Sequence, residues 1–179
     1  MVKKLGLPLF LFLFFIITVP SFYLISSQSI TITEKKVVYE LPYPGILPDN
    51  PLFILKDTRD KIIDLTTRDN IKKAEFYLLL SDKKINAATF LVKNGKNALA
   101  VETLHTGEAY AAKIPQLLAK AKKQGESPTI QFVEKLKLSN NKHREVIEQL
   151  LKTIPQGDQE KIADVFTLNE RVKKDISGL

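Results

Sequence analysis

The residues best suited to chemistry are His105 and His143, which are the only two histidines in the sequence. His105 completes a Glu-x-x-His pattern with Glu102, and Glu108 follows one helical turn later. On a helix this spacing brings a carboxylate and an imidazole to one face, as in di-iron helical bundles. A di-iron site needs a second such pair, but the other histidine, His143, has Asn140 in the corresponding position. The pattern therefore supplies half of a metal-binding motif.

Both histidines also have a structural interpretation. His143 occupies a position in an apolar helical stripe, where an imidazole usually donates to a backbone carbonyl or a neighbouring side chain. Its titration near neutrality would also suit a pH-sensitive element. We expect no metal and no cofactor. The alternative is an extracytoplasmic sensor domain that binds a metal or a small ligand, with Glu102, His105, Glu108 and His143 as its candidate residues.

Other kinds of catalysis find little support in the sequence. The chain has no cysteine, which excludes disulfides, thiolate metal sites, haem attachment and a lipoprotein anchor. It has seven glycines, and none forms a phosphate-binding loop or a Gly-x-Ser-x-Gly nucleophile motif. We expect carboxylate pairs such as Asp57 and Asp60 to lie on exposed helix faces. The sequence therefore predicts no enzyme.

The amino-terminal segment predicts export. Two lysines precede an apolar run from Leu5 to Ile25, a layout that leaves the amino terminus inside and carries the remainder across a membrane. The core from Leu9 to Val19 has the length of a signal peptide, which would be cut after Ser29. The full run of 21 residues would instead span a bilayer as an anchor. Both outcomes stay open: a membrane-anchored protein with its carboxyl terminus outside, or a secreted or periplasmic one.

The charge of the exported part points to weak attraction for anionic surfaces. The whole chain has 27 basic residues, of which two lie in residues 1–29, so 25 remain against 20 acidic residues. Paired lysines are spread over several helices and interleaved with acids, which is typical of a solvated surface. We expect the membrane as a partner through the amino-terminal segment, with an envelope protein or an anionic wall polymer as further candidates and no nucleic acid. The oligomeric state is left open.

Residues 30–49 are predicted to form an extended strap. The first half is rich in β-branched residues, with no visible partner strand, and the second half is interrupted by prolines that favour extended backbone. We expect the strap to lie along the bundle surface and cover an apolar groove with Ile46, Leu47 and Leu52. A spacer that holds the bundle away from the membrane is the other possibility.

Five helices are predicted after the strap. Asn50 and Pro51 begin the first, Asp69 caps a second over residues 70–93, and a third covers residues 97–123. The fourth runs from the Ser127-Pro128 pair to Thr153, and the fifth begins at an Asp158 cap. The residues expected to be buried are Leu52, Leu55, Ile62, Leu65, Ile71, Ala74, Leu78, Ile85, Ala88, Leu91, Val92, Leu104, Ala111, Ile114, Leu118, Ala121, Ile130, Val133, Leu136, His143, Val146, Ile147, Leu150, Ile162, Val165, Phe166, Val172 and Ile176.

These elements predict an all-α fold, an antiparallel up-down bundle of three long and two shorter helices over residues 50–179. Short turns between long helices force neighbours to run antiparallel. Pro115 and Gly107 lie inside the third helix, and an internal proline costs about 3 kcal/mol unless the helix bends. We expect gentle curvature of that helix.

The proline-rich part of the strap carries a resemblance to a known family. The sequence LPYPGILPDNPLFILK resembles the opening motif of an exported bacterial family of helical domains that is known only as a domain of unknown function. Further residues similar to that family are Arg59, Asp60, Lys73, Ala74, Glu75, Lys142, His143, Val146, Ile154 and Pro155. The resemblance covers most of residues 38–175. It implies export and a helical bundle, and it supplies no catalytic residues. The predicted function is a membrane-anchored or secreted structural or interaction module of the cell envelope.

Overall fold

The computed structural model describes residues 39–179 and, before them, the backbone of two short strands, β1 (Ile32–Thr33) and β2 (Lys36–Val37). The two strands pair antiparallel, with Ile32 opposite Val37 and Thr33 opposite Lys36. This local pairing supplies the partner strand that the sequence pattern did not show. The chain divides into a unit of residues 1–38 and a unit of residues 39–179. The predicted export segment, residues 1–29, lies outside the described residues.

The second unit is all-helical and forms a bundle. Its helices are α1 (Phe53–Thr66), α2 (Asn70–Lys93), α3 (Asn97–Ala111), α4 (Ile114–Lys123), α5 (Ile130–Thr153) and α6 (Gln156–Ser177). Helix α2 packs against α3, α4 and α5, and α6 packs against α3 and α5. No helix in the described part of the chain combines the length and the apolarity needed to cross a membrane.

Helix α2 begins and ends where the sequence predicts. Asp69 caps it, because its Oδ1 accepts from the backbone N–H groups of Ile71 at 2.8 Å and Lys72 at 3.0 Å. Gly95, just beyond its other end, has φ of 73°, the left-handed conformation that terminates helices. Local capping chemistry therefore sets both ends of one of the two longest helices.

The predicted third helix is divided in two, so the expectation of gentle curvature was wrong. Helix α3 ends at Ala111 and α4 begins at Ile114, with Ala112 and Lys113 in right-handed turn conformations. Pro115 has no N–H to bond the carbonyl four residues before it, but it fits without loss in the first turn of a new helix. The chain therefore restarts the helix at the proline.

Three predicted helix starts were also wrong by a few residues. Helix α1 begins at Phe53 and not at Pro51, although Asn50 Oδ1 accepts from Leu52 N at 2.9 Å. Helix α5 is capped by Thr129, whose Oγ1 accepts from Phe132 N at 3.2 Å, and not by Ser127. Helix α6 begins at Gln156, directly after Pro155, so Asp158 lies in its first turn and does not cap it. A carboxylate in the first turn still complements the positive end of the helix dipole.

The core consists of two apolar clusters. One comprises Ala74, Phe76, Tyr77, Leu78, Leu80, Ala111, Ile114, Leu117, Leu118, Phe132, Leu136, Val172 and Ile176. The other comprises Ile85, Ala88, Leu91, Ala100, Val101, Leu104, Val146, Ile147, Leu150, Ile154, Ile162 and Val165. Along α2, α3, α5 and α6, buried polar residues lie between the two clusters in sequence.

The described part of the strap, residues 39–49, contacts the bundle, but not through the residues that we predicted. Tyr39 is 7% exposed and Pro44 is buried, whereas Ile46 is 39% exposed and Leu52 is 56% exposed. Of the predicted groove-covering residues, Leu47 is half-buried. The strap is held largely through polar atoms, which hydrophobic periodicity does not report.

Helix α1 is oriented opposite to the prediction. Leu55, Ile62 and Leu65 are exposed, whereas Asp60, predicted to be exposed, is 9% exposed. The inner face meets cations and aromatic rings: Asp64 accepts from Tyr77 Oη at 2.7 Å and pairs with Lys73 Nζ at 3.0 Å. These partners attract the charged face of α1, so its apolar stripe faces solvent. Ile130, at the start of α5, was also predicted to be buried and is 76% exposed.

Candidate functional site

A buried group of hydrogen-bonding residues, which we call the polar layer, lies between the two apolar clusters. Its members come from the strap, α2, α3, α5 and α6, and each is at most 7% exposed. They are Tyr39, Asp82, Glu108, Ser139, Asn140, His143 and Asn169. Buried charges of this kind persist only when they are paired.

His143 is at the centre of the polar layer, between two carboxylates. Its Nδ1 lies 2.8 Å from Glu108 Oε1, and its Nε2 lies 2.8 Å from Asp82 Oδ1. Burial disfavours the charged imidazole, but the negative charge of Glu108 and the hydrogen bonds to both carboxylates outweigh it and raise the pKa of His143 to about 9. The residue is therefore an imidazolium at neutral pH, donating from both nitrogens.

The two carboxylates are stabilised by further donors. Asp82 accepts from His143, from Ser139 Oγ at 2.5 Å and from the phenolic hydroxyl of Tyr39. Glu108 accepts from His143 and, at 3.3 Å, from Asn169 Nδ2. Burial, followed by the charge of Asp82, raises the pKa of Tyr39 far above its usual range, so this phenol stays a donor. Charge-assisted hydrogen bonds of this type are among the stronger ones in proteins.

A glycine allows the two carboxylate-bearing helices to approach closely. Ser81 Oγ donates to the backbone carbonyl of Gly107 at 2.8 Å, which joins α2 to α3 beside the polar layer. A Cβ added at Gly107 would lie 3.0 Å from Ile85 Cδ1, closer than ordinary contact. Gly107 therefore has a packing role, and the approach that it permits brings Asp82 and Glu108 to opposite edges of one imidazole.

Helices α5 and α6 are joined at the same level by two asparagines. Asn140 Nδ2 donates to the backbone carbonyl of Asn169 at 3.2 Å, and Asn169 Nδ2 donates to that of Asn140 at 3.3 Å. Because Asn169 also reaches Glu108, the amide pair links the charged centre to the last helix. Side chains of the polar layer thus join α2, α3, α5 and α6 at one level of the bundle.

Ser139, His143 and Glu108 are arranged like a serine–histidine–acid catalytic triad, but their protonation and enclosure differ from those of a working triad. Ser139 Oγ lies 3.2 Å from His143 Nε2, and Glu108 contacts the other ring nitrogen. A general base must be neutral to accept a proton and must reach the substrate. Here His143 is protonated, Ser139 donates to Asp82, and the side chains are almost completely enclosed. The arrangement is suited to holding charges and fixing helix positions.

The structure separates the four metal-site candidates into two pairs. Glu102 and His105 are exposed, whereas Glu108 and His143 are buried and adjacent. The two nitrogens of His143 point at carboxylates on opposite edges of the ring, so no single point faces all three groups. Within the described residues, no group of three or more histidine, aspartate or glutamate side chains could hold a metal ion.

Sequence reasoning missed Asp82, Tyr39, Ser139 and Asn169. A usable signal exists at Ser81-Asp82, where two polar residues interrupt the apolar stripe of α2 between Leu78 and Ile85. Buried polar residues also interrupt the apolar stripes of α3, α5 and α6, at Glu108, Asn140 and Asn169 respectively. Polar residues that fall inside several stripes at matching heights indicate a buried polar network, because each would otherwise be left without a partner.

The strap is fastened to the bundle by a second set of contacts. Lys56 Nζ donates to the carbonyl oxygens of Pro44 at 2.7 Å and Ile46 at 3.2 Å. Asn86 Nδ2 donates to the carbonyl of Pro42 at 2.9 Å. Burial lowers the pKa of Lys56 to about 8, and nearby positive charges add to the effect while Asp60 opposes it. Together with Tyr39, these donors hold the described part of the strap at several points.

These observations define a class of protein: an all-helical bundle built around a buried imidazolium held by two carboxylates. The chain belongs to the family described as a domain of unknown function (DUF5667), whose model matches residues 45–157. The matched region includes Asp82, Glu108 and His143. That the family has the opening motif described above, and that it is exported, are still only predictions. No curated protein and no solved structure matches the chain.

Proposed function

We propose that this protein is a helical-bundle interaction module of the bacterial cell envelope, exported and held at the membrane by its amino-terminal segment. Residues 1–29 would form the export segment, 30–49 the strap and 50–179 an antiparallel up-down bundle. The observation that carries the proposal is the burial of Tyr39, at the start of the described strap, in the polar layer.

A strap fixed at Tyr39 gives the bundle a firm point of attachment. A flexible linker would present few buried contacts and free backbone carbonyls. Here the phenol of Tyr39 bonds to a buried carboxylate, and Lys56 and Asn86 bind carbonyl oxygens further along. Such a fastening suits a domain that is attached to a membrane through the residues before Tyr39.

The polar layer supports a structural role for the centre of the bundle. The hydrogen-bonding atoms of His143 are occupied by carboxylates, and Ser139 donates to Asp82. Binding of a partner would therefore use the outer surface. We propose an envelope protein, an anionic wall polymer or lipid as the partner class.

The test is fractionation of cells that produce the full chain, with mass spectrometry of its amino terminus. We expect the protein in the membrane fraction after alkaline extraction, and we expect protease added outside the cytoplasmic membrane to digest the bundle. A mature chain beginning after Ser29 and found outside the cytoplasm would support the secreted form of the proposal. Intact chain in the soluble interior would contradict both forms.

A further inference from the structure

Exposed large apolar side chains are concentrated in one segment of the chain. Of the nine such residues in the described part, seven fall between residues 43 and 65. These are Tyr43, Ile46, Leu52, Ile54, Leu55, Ile62 and Leu65, and the other two are Ile130 and Leu179. Single exposed apolar residues are normal, but a cluster of this size usually marks an interaction surface.

Helix α1 accounts for most of this cluster, and its residues share one face. Ile54, Leu55, Ile62 and Leu65 are 57–84% exposed and lie within about one third of the helix circumference, at 100° per residue. We call these four side chains the outer face of α1. Asp60 lies on the opposite side. A surface helix normally buries its apolar stripe, so this helix has the reverse orientation.

The acidic residues of α1 are neutralised by neighbouring cations. Asp57 pairs with Lys61, Asp60 with Arg59, and Asp64 with Lys73. In these pairs the most exposed side chain is that of Lys61, at 74%, and the least exposed is that of Asp60, at 11%. The outer face therefore offers apolar side chains with an exposed cation at its border, the composition of helices that lie in a lipid headgroup region.

We propose that the outer face of α1 lies in the lipid–water interface of the membrane to which the protein is attached. The inference rests on the proposed membrane attachment. Between the end of the apolar run at Ile25 and the start of the bundle unit at Tyr39 there are 13 residues. At 3.3–3.6 Å per extended residue they reach about 47 Å at most, so an attached chain keeps the start of the bundle unit within that distance of the membrane. Lipid is thus the apolar partner available at the highest local concentration.

A second copy of the chain fits this face less well than lipid. Helix α1 has 14 residues, which corresponds to two heptads, and stable helix pairing usually needs a sustained repeat of three or four. Arg59 also interrupts the apolar spacing between Leu55 and Ile62. Lipid tolerates such an interruption because polar groups at the border of the face can stay at the level of the headgroups.

The absence of cysteine makes a direct test possible. The full chain carrying Leu55→Cys or Ile62→Cys is labelled with an environment-sensitive fluorophore and reconstituted into vesicles of phosphatidylcholine and phosphatidylglycerol. The matched control is Lys152→Cys, which replaces an exposed residue of α5. We expect several-fold stronger quenching by brominated lipid at positions 55 and 62 than at 152.

The outcomes separate this inference from the proposed function. Chains that float with the vesicles but show equal quenching at positions 55, 62 and 152 would overturn lipid docking and leave the membrane attachment standing. Chains that do not float would overturn both. Rapid disulfide formation between Leu55→Cys copies, without quenching by brominated lipid, would identify a second copy as the occupant and also overturn lipid docking.

A second pair of variants guards against label artefacts. Leu55→Gln and Ile62→Gln alter side chains that are already exposed, so we expect the bundle to fold unchanged. Combined with a fluorophore at Leu65→Cys, they should reduce quenching by brominated lipid at that position several-fold. Unchanged quenching would show that the apolar face does not bring the helix to the membrane.

Discussion

His143 holds together two buried carboxylates that would otherwise repel each other. A neutral side chain of similar reach leaves Asp82 and Glu108 close together without a cation. We therefore expect His143→Gln to lower the free energy of unfolding by about 3–5 kcal/mol, the usual result of breaking a buried ion pair from one side. Urea denaturation followed by circular dichroism would measure the change.

The chain provides its own control in the exposed histidine. His105→Gln changes the same residue type on the surface, and we expect a change within about 0.5 kcal/mol. Equal stability of the two variants would mean that the imidazole of His143 does not act as a buried cation.

The pH dependence of His143 has a defined sign. Its pKa in the folded protein is about 9, above the ordinary value of 6.5. Its stabilising contribution is therefore complete below pH 6.5 and is lost as the pH rises through about 9. Lys56, with a lowered folded pKa of about 8, contributes in the opposite direction, so stability alone gives a mixed signal.

Titration of the His143 ring by NMR separates the two contributions. We expect the ring carbon and proton shifts of His143 to change with a midpoint near pH 9. In Glu108→Gln the midpoint should fall, because the negative charge of Glu108, which contributes most to the raised pKa of His143, is removed. A midpoint at or below 6.5 in the unmodified protein would contradict the imidazolium assignment.

Tyr39 fastens the described part of the strap at its first residue. Tyr39→Phe removes the donor to Asp82 and keeps the ring, so we expect a loss of about 1–3 kcal/mol and faster proteolysis within residues 40–48. Tyr43→Phe is the matched control, because Tyr43 is 74% exposed and should change stability by less than about 0.5 kcal/mol. The assigned role of Tyr39 would be wrong if the two variants were cut at the same rate.

The helices were predictable where local chemistry sets them. Asp69 and Gly95 mark the ends of α2, and the apolar stripes of α2 and α3 contain the residues that are buried. The sequence also indicated Pro115 as unusual, but not whether the chain would bend or restart there. That choice depends on how Ile114 and the residues after it pack against α2, which no local pattern contains.

The orientation of α1 shows where periodicity fails. Helix α1 does have an apolar stripe, but which of its faces is buried depends on the neighbouring side chains. Here those neighbours are cationic and aromatic. Lys84 lies 5.5 Å from the ring of Phe53, and Lys73 contacts Asp64. These interactions bind the mixed polar face of α1. A hydrophobic pattern alone therefore could not tell the inner face from the outer one.

The candidate site was predicted in part. His143 and Glu108 were identified from their residue types, but Asp82 lies 61 residues from His143 in sequence, and Tyr39 lies 43 residues from Asp82. The side chains that meet depend on the relative heights of the helices in the bundle. Periodicity indicates the buried faces of α2, α3, α5 and α6 and leaves their relative heights undetermined.

The position of the polar layer between two apolar clusters suggests how that height is chosen. If one long helix moved by a turn, a charged residue would face an apolar cluster and its partner would be left alone. Either change costs several kcal/mol, since an unpaired charge is expensive to bury. The layer therefore selects one alignment of α2, α3, α5 and α6 among several that would bury the apolar stripes about equally well.

This selection predicts that removing all three charges together is less harmful than removing one. The triple variant Asp82→Ala, Glu108→Leu and His143→Leu, made together with Tyr39→Phe and Ser139→Ala so that no donor to Asp82 is left without an acceptor, replaces the ionic centre by apolar side chains of about the same total volume. We expect it to be more stable than His143→Gln, because replacing a whole buried ion cluster is often neutral or favourable, whereas leaving charges unpaired is not. Its nuclear magnetic resonance spectra should show broader or doubled signals, since helix alignments become closer in energy. A single sharp set of signals would mean that the apolar clusters and the turns already fix the alignment without the polar layer. A variant less stable than His143→Gln would mean that unpaired charge is not the main cost of removing the imidazole.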